Sequence, residues 1–212
     1  GVSTVTSTTH MVMPSGPTEM RGGRGRGVFG GGESNVMDFI EIATTGNATN
    51  FGGLNETERD RPYSFASSTR GIIGGGRDHP NYWTSIDYIT TSSSGGATDF
   101  GELIQGAWSG AGASNNTRGL FFGGYFPGTT DFAGTVRNFK KIQTVEIATT
   151  GEANEFGEVT ENGIRECGCV ASQTRAVRLG GKTTTVAPSW GNVVGSIDFV
   201  TIATKGDAED FG

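Results

Sequence analysis

The sequence predicts an all-β protein built from four copies of one short unit, and three observations carry that prediction: the composition, an internal repeat, and fixed spacing inside the repeat. Of 212 residues, 37 are Gly and 44 are Ser or Thr, against four Leu. A chain so short of helix formers and so rich in turn and strand residues excludes a helical bundle and an ordinary α/β enzyme fold. Hydrophobic residues make up only 33%, yet 13 Phe, with Val and Ile spread along the chain, are enough for thin packed layers.

The repeat has two blocks. The longer reads MDFIEIATTGNATNFG from Met37, IDYITTSSSGGATDFG from Ile86, IQTVEIATTGEANEFG from Ile142 and IDFVTIATKGDAEDFG from Ile197. Its first residue and its Phe are 14 positions apart in every copy. The shorter block precedes it as RGVFGGG from Arg26, TRGIIGGG from Thr69, TRGLFFGGY from Thr117 and TRAVRLGGK from Thr174. Each Phe lies 18 or 19 residues before the next Arg, whereas the Arg-to-long-block interval varies from 11 to 24 residues, so the length variation falls in one surface connection per unit.

Each element follows from local chemistry. The Arg-led block is an apolar run ended by Gly-Gly and predicts a strand with a turn behind it. Ile-Asp-Phe-Val-Thr-Ile places apolar residues on both sides of a strand, which suits sheets stacked face to face. Thr-Gly-Asn-Ala or Lys-Gly-Asp-Ala supplies a turn, and Phe-Gly opens the next strand. Three or four strands in units of about 44–57 residues is the size of a β-propeller blade, and four units predict a four-bladed propeller with blade cores near 26–52, 70–101, 118–157 and 175–212. Residues 8–25 have the length of one Phe-to-Arg segment, so they are expected to complete the last blade in a domain spanning 8–212. Residues 1–7 are surplus to the repeat, and Val2, Thr4 and Val5 make them a candidate strand donated to a neighbouring subunit.

Thr-Arg-Gly-x-x-x-Gly-Gly followed by Ile-Asp-Tyr-Ile-x-Ile-Ala-Thr-x-Gly-x-Ala-x-Asp-Phe-Gly resembles the kelch-like tandem repeats of bacteriophage tail-fibre and virion structural proteins and of environmental extracellular repeat proteins. The resemblance runs from about residue 20 to the end. It implies kelch-like propeller blades in a protein of the virion surface or the extracellular space, with no enzymatic mechanism.

Repeated residues are candidates for structural roles. One Arg recurs per unit, at Arg26, Arg70, Arg118 and Arg175, and an acid recurs at Asp38, Asp87 and Asp198, with Gln143 in the third unit. A guanidinium satisfies a carboxylate bidentately, so an Arg–Asp pair tying strands or blades is expected. Gln143 argues against an axial cation site needing four equal charges. The variable connections carry Tyr82, Trp83, Tyr125, Phe126, Phe132 and Trp190, expected on one rim as candidates for protein or glycan contact. Asn47, Asn55 and Asn115 head N-x-Thr sequons and are candidate glycosylation sites.

Other functions are disfavoured. A net charge of −6 argues against nucleic acid, and no apolar run approaches the roughly 20 residues that span a bilayer. Cys167 and Cys169, with His10 and His79 far away, fall short of a metal site, so no metal and no cofactor is expected. No Ser or Cys is placed beside a His and an orienting acid, and the glycines lack the Lys-Ser/Thr of a phosphate loop. The expectation is a non-enzymatic structural protein that self-associates head to tail into an extracellular filament or joins other virion proteins. A glycan- or receptor-binding module is the alternative, and a glycan-active enzyme the remote third.

Overall fold

A computed structural model of the chain describes residues 25–32, 34–56, 58–126, 139–183 and 192–212. Residues 1–24, Phe132 and Trp190 lie outside the described residues. The described chain is all-β, without an α-helix, and forms four antiparallel sheets in sequence order with one small hairpin.

The first sheet holds β1 (Arg26–Gly30), β2 (Val36–Glu41) and β3 (Thr49–Gly53). The second runs β4 (Tyr63–Ala66), β5 (Arg70–Gly74), β8 (Ser85–Thr90), β9 (Thr98–Glu102), with hairpin β6 (Arg77–Asp78) and β7 (Asn81–Tyr82) between β5 and β8. The third is β10 (Ala111–Ser114), β11 (Arg118–Phe122), β12 (Lys141–Glu146) and β13 (Asn154–Glu158). The fourth joins β14 (Ile164–Arg165) and β15 (Gly168–Ala171) to β16 (Arg175–Thr183), then β17 (Val193–Thr201) and β18 (Glu209–Asp210).

The Arg-led and long blocks therefore form neighbouring strands of one sheet, and the variable connection links them. The repeat Phe has a defined place in the ladder. Met37 pairs with Gly52 and Asp38 with Asn50, so Phe51 is an extra residue on its strand, and Phe100 and Phe156 are bulged in the same way. A bulge turns the strand and re-aims its side chain. All three rings point into the packing between sheets and are 2–3% exposed.

Three apolar layers separate four sheets. Met37, Phe51 and Leu54 meet Ile73 and Ile89 between the first and second. Ile72, Ile86 and Phe100 meet Phe121, Val145 and Ile147 between the second and third, while Leu120, Phe122 and Phe156 meet Ala176, Val200 and Ile202 between the third and fourth. On β11, Phe121 enters one layer and its neighbours Leu120 and Phe122 enter the next, so this strand is buried on both faces.

The strand before each Arg-led block belongs to that block's sheet. β4, β10 and β15 lie side by side across sheets: Ser114 Oγ donates to Ala66 O at 2.8 Å, and Asn115 Nδ2 to Gln173 O at 3.1 Å. The last sheet thus has its full set of strands within 164–210, and the first has three. Residues 8–24, expected to complete the last blade, lie outside the described residues.

Candidate functional site

Two constellations stand out: a junction repeated between successive sheets, and a cluster of cations and aromatic rings drawn from the segments that enter the second, third and fourth sheets and from those that follow β5 and β11.

The junction is built from the repeat. In the turn of each downstream sheet two amides point at the last strand of the sheet before it. Gly95 N–H donates to Phe51 O at 2.7 Å and Ala97 N–H to Gly53 O at 2.8 Å. Gly151 and Ala153 reach Phe100 O and Glu102 O, each at 2.8 Å, and Gly206 and Ala208 reach Phe156 O and Glu158 O at 3.0 and 2.8 Å. The approach is so close that a Cβ on Gly52, Gly101 or Gly157 would strike the carbonyl of Gly95, Gly151 or Gly206.

The repeat arginines complete it. Three of the four guanidinium groups reach a carbonyl of the next sheet, just past its long-block strand: Arg26 to Thr91 O at 3.5 Å, Arg70 to Ile147 O at 2.9 Å and Arg118 to Ile202 O at 2.8 Å. Arg26, Arg70 and Arg175 stack over Phe39, Tyr88 and Phe199 at 4.3–4.4 Å from the ring centres. Arg26 and Arg118 also pair with Glu41 and Glu146, which lie opposite them in the ladder.

The expected Arg–Asp pairing is thereby corrected. Asp87 accepts the Asn55 backbone N–H and the Asn55 amide, at 3.3 and 2.8 Å, and Asp198 accepts the Thr160 N–H and hydroxyl at 3.0 and 2.7 Å. Gln143 Oε1 accepts the N–H of Ile104 at 2.7 Å. The second residue of the long block ties its sheet to the loop behind the previous sheet, and a neutral amide oxygen does this as well as a carboxylate. Asp38, in the first sheet, is exposed.

Arg61, Ser109 and Glu166 occupy equivalent places, two residues before β4, β10 and β15, and all three have left-handed backbone, with φ of 49°, 60° and 52°. They form a chain: Ser109 N–H donates to Arg61 O at 3.0 Å and Glu166 N–H to Ser109 O at 2.6 Å. Such conformations cost about 1–3 kcal/mol each in residues with a Cβ and concentrate at functional positions. Beside them Trp108 and Tyr125 pair by a two-way backbone bridge and an edge contact of 5.5 Å. Arg77 and Arg61 lie over Trp108 at 3.7 and 5.0 Å, and Arg165 over Tyr125 at 5.2 Å.

The cluster mixes charges. Asp60 pairs with Arg77 at 3.1 Å, and Lys182 with Glu166 at 2.6 Å. The Lys182 ammonium, with Arg165 and Arg61 nearby, holds the Glu166 carboxyl below the usual glutamate range, which makes it a weak general base at neutral pH. The indole N–H of Trp108 is buried without a hydrogen-bond partner among the described residues. Trp108 is buried beneath Arg77, so what the cluster turns outward is the half-buried Tyr125 and the part-exposed Arg61 and Arg77, which can face an anion. Tyr63 supports them from below, donating to Gly123 O at 2.5 Å, and burial pushes its phenol far up.

Of the rim aromatics, Tyr125 belongs to this cluster, while Phe126 packs at 5.9 Å against Phe139. Tyr82 lies in the β6–β7 hairpin, and Trp83 donates its indole N–H to Glu58 O at 3.1 Å. Trp108, Arg61, Arg77 and Arg165 were missed from sequence. Among the sequons, Asn47 is an exposed turn residue, whereas the side-chain amides of Asn55 and Asn115 are donated to Asp87 and Gln173. Cys167 and Cys169 are free thiols, half-buried against the fourth-sheet layer.

No family model matches the sequence, and no curated protein matches it. Its fold is matched among solved structures. The structure of YjhT superposes with a TM-score of 0.68 at 11% identity, covering 88% of this chain and 62% of that one. The chain spans under two thirds of that protein, and the likeness is one of fold alone.

Proposed function

We propose that the four sheets are successive blades of a kelch-like, four-bladed β-propeller array, and that the protein is a non-enzymatic structural subunit assembling head to tail in an extracellular filament or at a virion surface. One observation supports the assembly reading: the three seams between successive sheets repeat a single junction whose two halves, an arginine with a Phe carbonyl and a Gly amide with an Ile or Thr carbonyl, are complementary each time. A heterologous contact that does not close generates a fibre. The propeller reading draws support from β4, β10 and β15, whose side-by-side order is that of inner strands around an axis. The virion or extracellular setting rests on the sequence resemblance. Electron microscopy of the purified protein is the test: filaments with a regular axial rise are expected, and isolated compact particles would overturn the reading.

A second reading, recognition of a glycan or receptor, is favoured by the Trp108–Tyr125–arginine cluster. A glycan array on wild-type protein and on Arg77→Ala tests it. Binding lost in the variant supports the reading, and an array without hits removes it.

A further inference from the structure

Resting on the recognition reading, we propose that one end of the second, third and fourth sheets forms an oxyanion-binding site, and that the glycan it takes is acidic, held by a carboxylate or sulfate group on Arg61 and Arg77.

Three equivalent antiparallel bridges build the site: Asp60 with Arg77, Trp108 with Tyr125, and Arg165 with Lys182. The second member of each directly follows a Gly-Gly pair, whose φ angles are 56–61° and then 94–116° in all three sheets. The left-handed residues Arg61, Ser109 and Glu166 directly follow the first members, and the hydrogen bonds from Ser109 N–H to Arg61 O and from Glu166 N–H to Ser109 O set the three bridges side by side. The backbone is therefore the same three times over, while the side chains differ at every place: Asp, Trp and Arg at the first, Arg, Tyr and Lys at the second, Arg, Ser and Glu at the left-handed one. The junction between sheets does the reverse and repeats its Phe and Gly wherever one sheet seats on the next. A rigid repeated frame whose side chains diverge in one place is how a scaffold carries a binding site.

Charge selects the ligand. The Asp60 carboxylate is shared by two guanidinium groups, Arg77 at 3.1 Å and Arg61 at 3.8 Å, and the Glu166 carboxylate by Lys182 at 2.6 Å and Arg165 at 3.6 Å. Four cations against two carboxylates leave a local excess of positive charge in a chain whose net charge is −6. Among the described residues, Asp60 is the only carboxylate within ion-pair distance of Arg61 or Arg77. Both side chains reach solvent, Arg61 at 54% exposure and Arg77 at 29%. Their guanidinium groups already lie over the Trp108 ring, at 5.0 and 3.7 Å, so little rotamer freedom is lost when an anion binds. A guanidinium donates to a carboxylate or sulfate through paired N–H groups, and the half-buried Tyr125 ring sits in the same cluster for the sugar to pack against. The excess is confined to one spot rather than drawn out in a stripe, which suits one or two acidic groups and not a nucleic-acid backbone.

The test is isothermal titration calorimetry of the full chain with a heparin-derived sulfated hexasaccharide, a hexagalacturonate, neutral maltohexaose and a hexaglutamate peptide. At least one acidic hexasaccharide is expected to bind about tenfold or more tighter than maltohexaose and to weaken as salt is raised, and which of the two binds tells sulfate from carboxylate. Arg61→Gln and Arg77→Gln should each lower that affinity about tenfold, whereas Lys205→Gln, in the turn between β17 and β18, should leave it unchanged. Arg61→Gln alters a half-exposed side chain, and a melting temperature equal to wild type shows that the variant is folded. Maltohexaose bound as tightly as the acidic sugars, with both arginine variants unaffected, overturns the oxyanion site and leaves glycan recognition standing. An equal loss in Lys205→Gln reduces the effect to general charge attraction and overturns the site, and hexaglutamate bound as tightly as the sugars overturns the assignment to a glycan. No binding of any of the four overturns this inference, and a glycan array without hits then removes the recognition reading as well.

Discussion

Arg178 and Asp198 face each other across β16 and β17 and form a two-pronged ion pair, Nε to Oδ1 at 2.8 Å and Nη2 to Oδ2 at 2.7 Å, with both side chains fully buried. In the second sheet Asp87 is approached at 3.4 Å by buried Arg59 from the preceding loop. In the third, Gln143 sits at the same place with no such cation among its partners. In the three sheets where this position is buried, a carboxylate stands where a buried arginine meets it and an amide where none is among the partners, while Asp38 of the first sheet is exposed.

Removing one member of the fourth-sheet pair leaves a buried charge. Asp198→Asn and Arg178→Met are each expected to lose about 3–5 kcal/mol of stability, and the double variant Arg178→Met/Asp198→Leu to lose less than either. Urea denaturation of the three proteins measures this. Single variants within about 0.5 kcal/mol of wild type would show that the pair is not coupled as its geometry implies.

Tyr63→Phe deletes one oxygen and nothing else. Its partner, the Gly123 carbonyl, sits among buried residues, so a loss of about 1–3 kcal/mol is expected from the unsatisfied acceptor. A melting temperature equal to wild type would mean that water takes the place of the hydroxyl.

The junction makes opposite demands on two glycines. Gly101→Ala drives a Cβ into the Gly151 carbonyl from a backbone at φ 148°, and should cost more than about 2 kcal/mol, while Gly46→Ala meets open space and should lie within about 0.5 kcal/mol of wild type. Differential scanning calorimetry on the two proteins separates them. Equal stability would show that the sheets slide apart to admit the methyl.

Much of the fold was legible because the repeat is ungapped where strands pair and gapped where a loop is exposed. The strands β4, β10 and β15 were not located from sequence: each has only four residues, AGAS and GCVA carry mostly small side chains, and the alternation of YSFA has no counterpart in the other two. Close packing dictates that smallness, since a Cβ on Gly112 would strike the Ser64 carbonyl. Self-comparison also passes over Arg61, Arg77 and Arg165, which lack an arginine at the matching place in other units. The Arg–Asp pairing misled because alignment gives a residue's place in the unit, not the sheet its side chain reaches.

The two cysteines are expected to differ in reactivity. A hydrogen bond from the Cys169 thiol, with Arg178 nearby, lowers the Cys167 pKa, and the same bond with burial raises that of Cys169. Since the thiolate is the nucleophile, brief iodoacetamide treatment at neutral pH should label Cys167 several-fold faster, as read by peptide mass spectrometry. Equal labelling would refute the assignment of donor and acceptor.

Glu166 ties the rim to acid stability. Its carboxyl is held low by Lys182, so its contribution is fully present above the ordinary glutamate pKa of 4.5 and is lost as pH falls through the lower folded value. The side chain is about a third exposed, and solvent screening limits the effect to less than about 1 kcal/mol. Thermal melts should show wild type and Glu166→Gln converging at pH 3 after differing at pH 7; a constant gap between them would contradict this.

The hydrogen bonds from the turn of one sheet to the last strand of the sheet before it run between main-chain amides and carbonyls, which every unit possesses whatever its side chains. Copy number can then drift at little cost to these bonds: after a tandem duplication or deletion of a whole unit the newly adjacent partners carry the same backbone groups, and the apolar layer between them is what must be refitted. Stability in such a chain grows by nearest-neighbour increments. Loops between the second and third strands can diverge independently of that count, so length and surface chemistry can be selected separately.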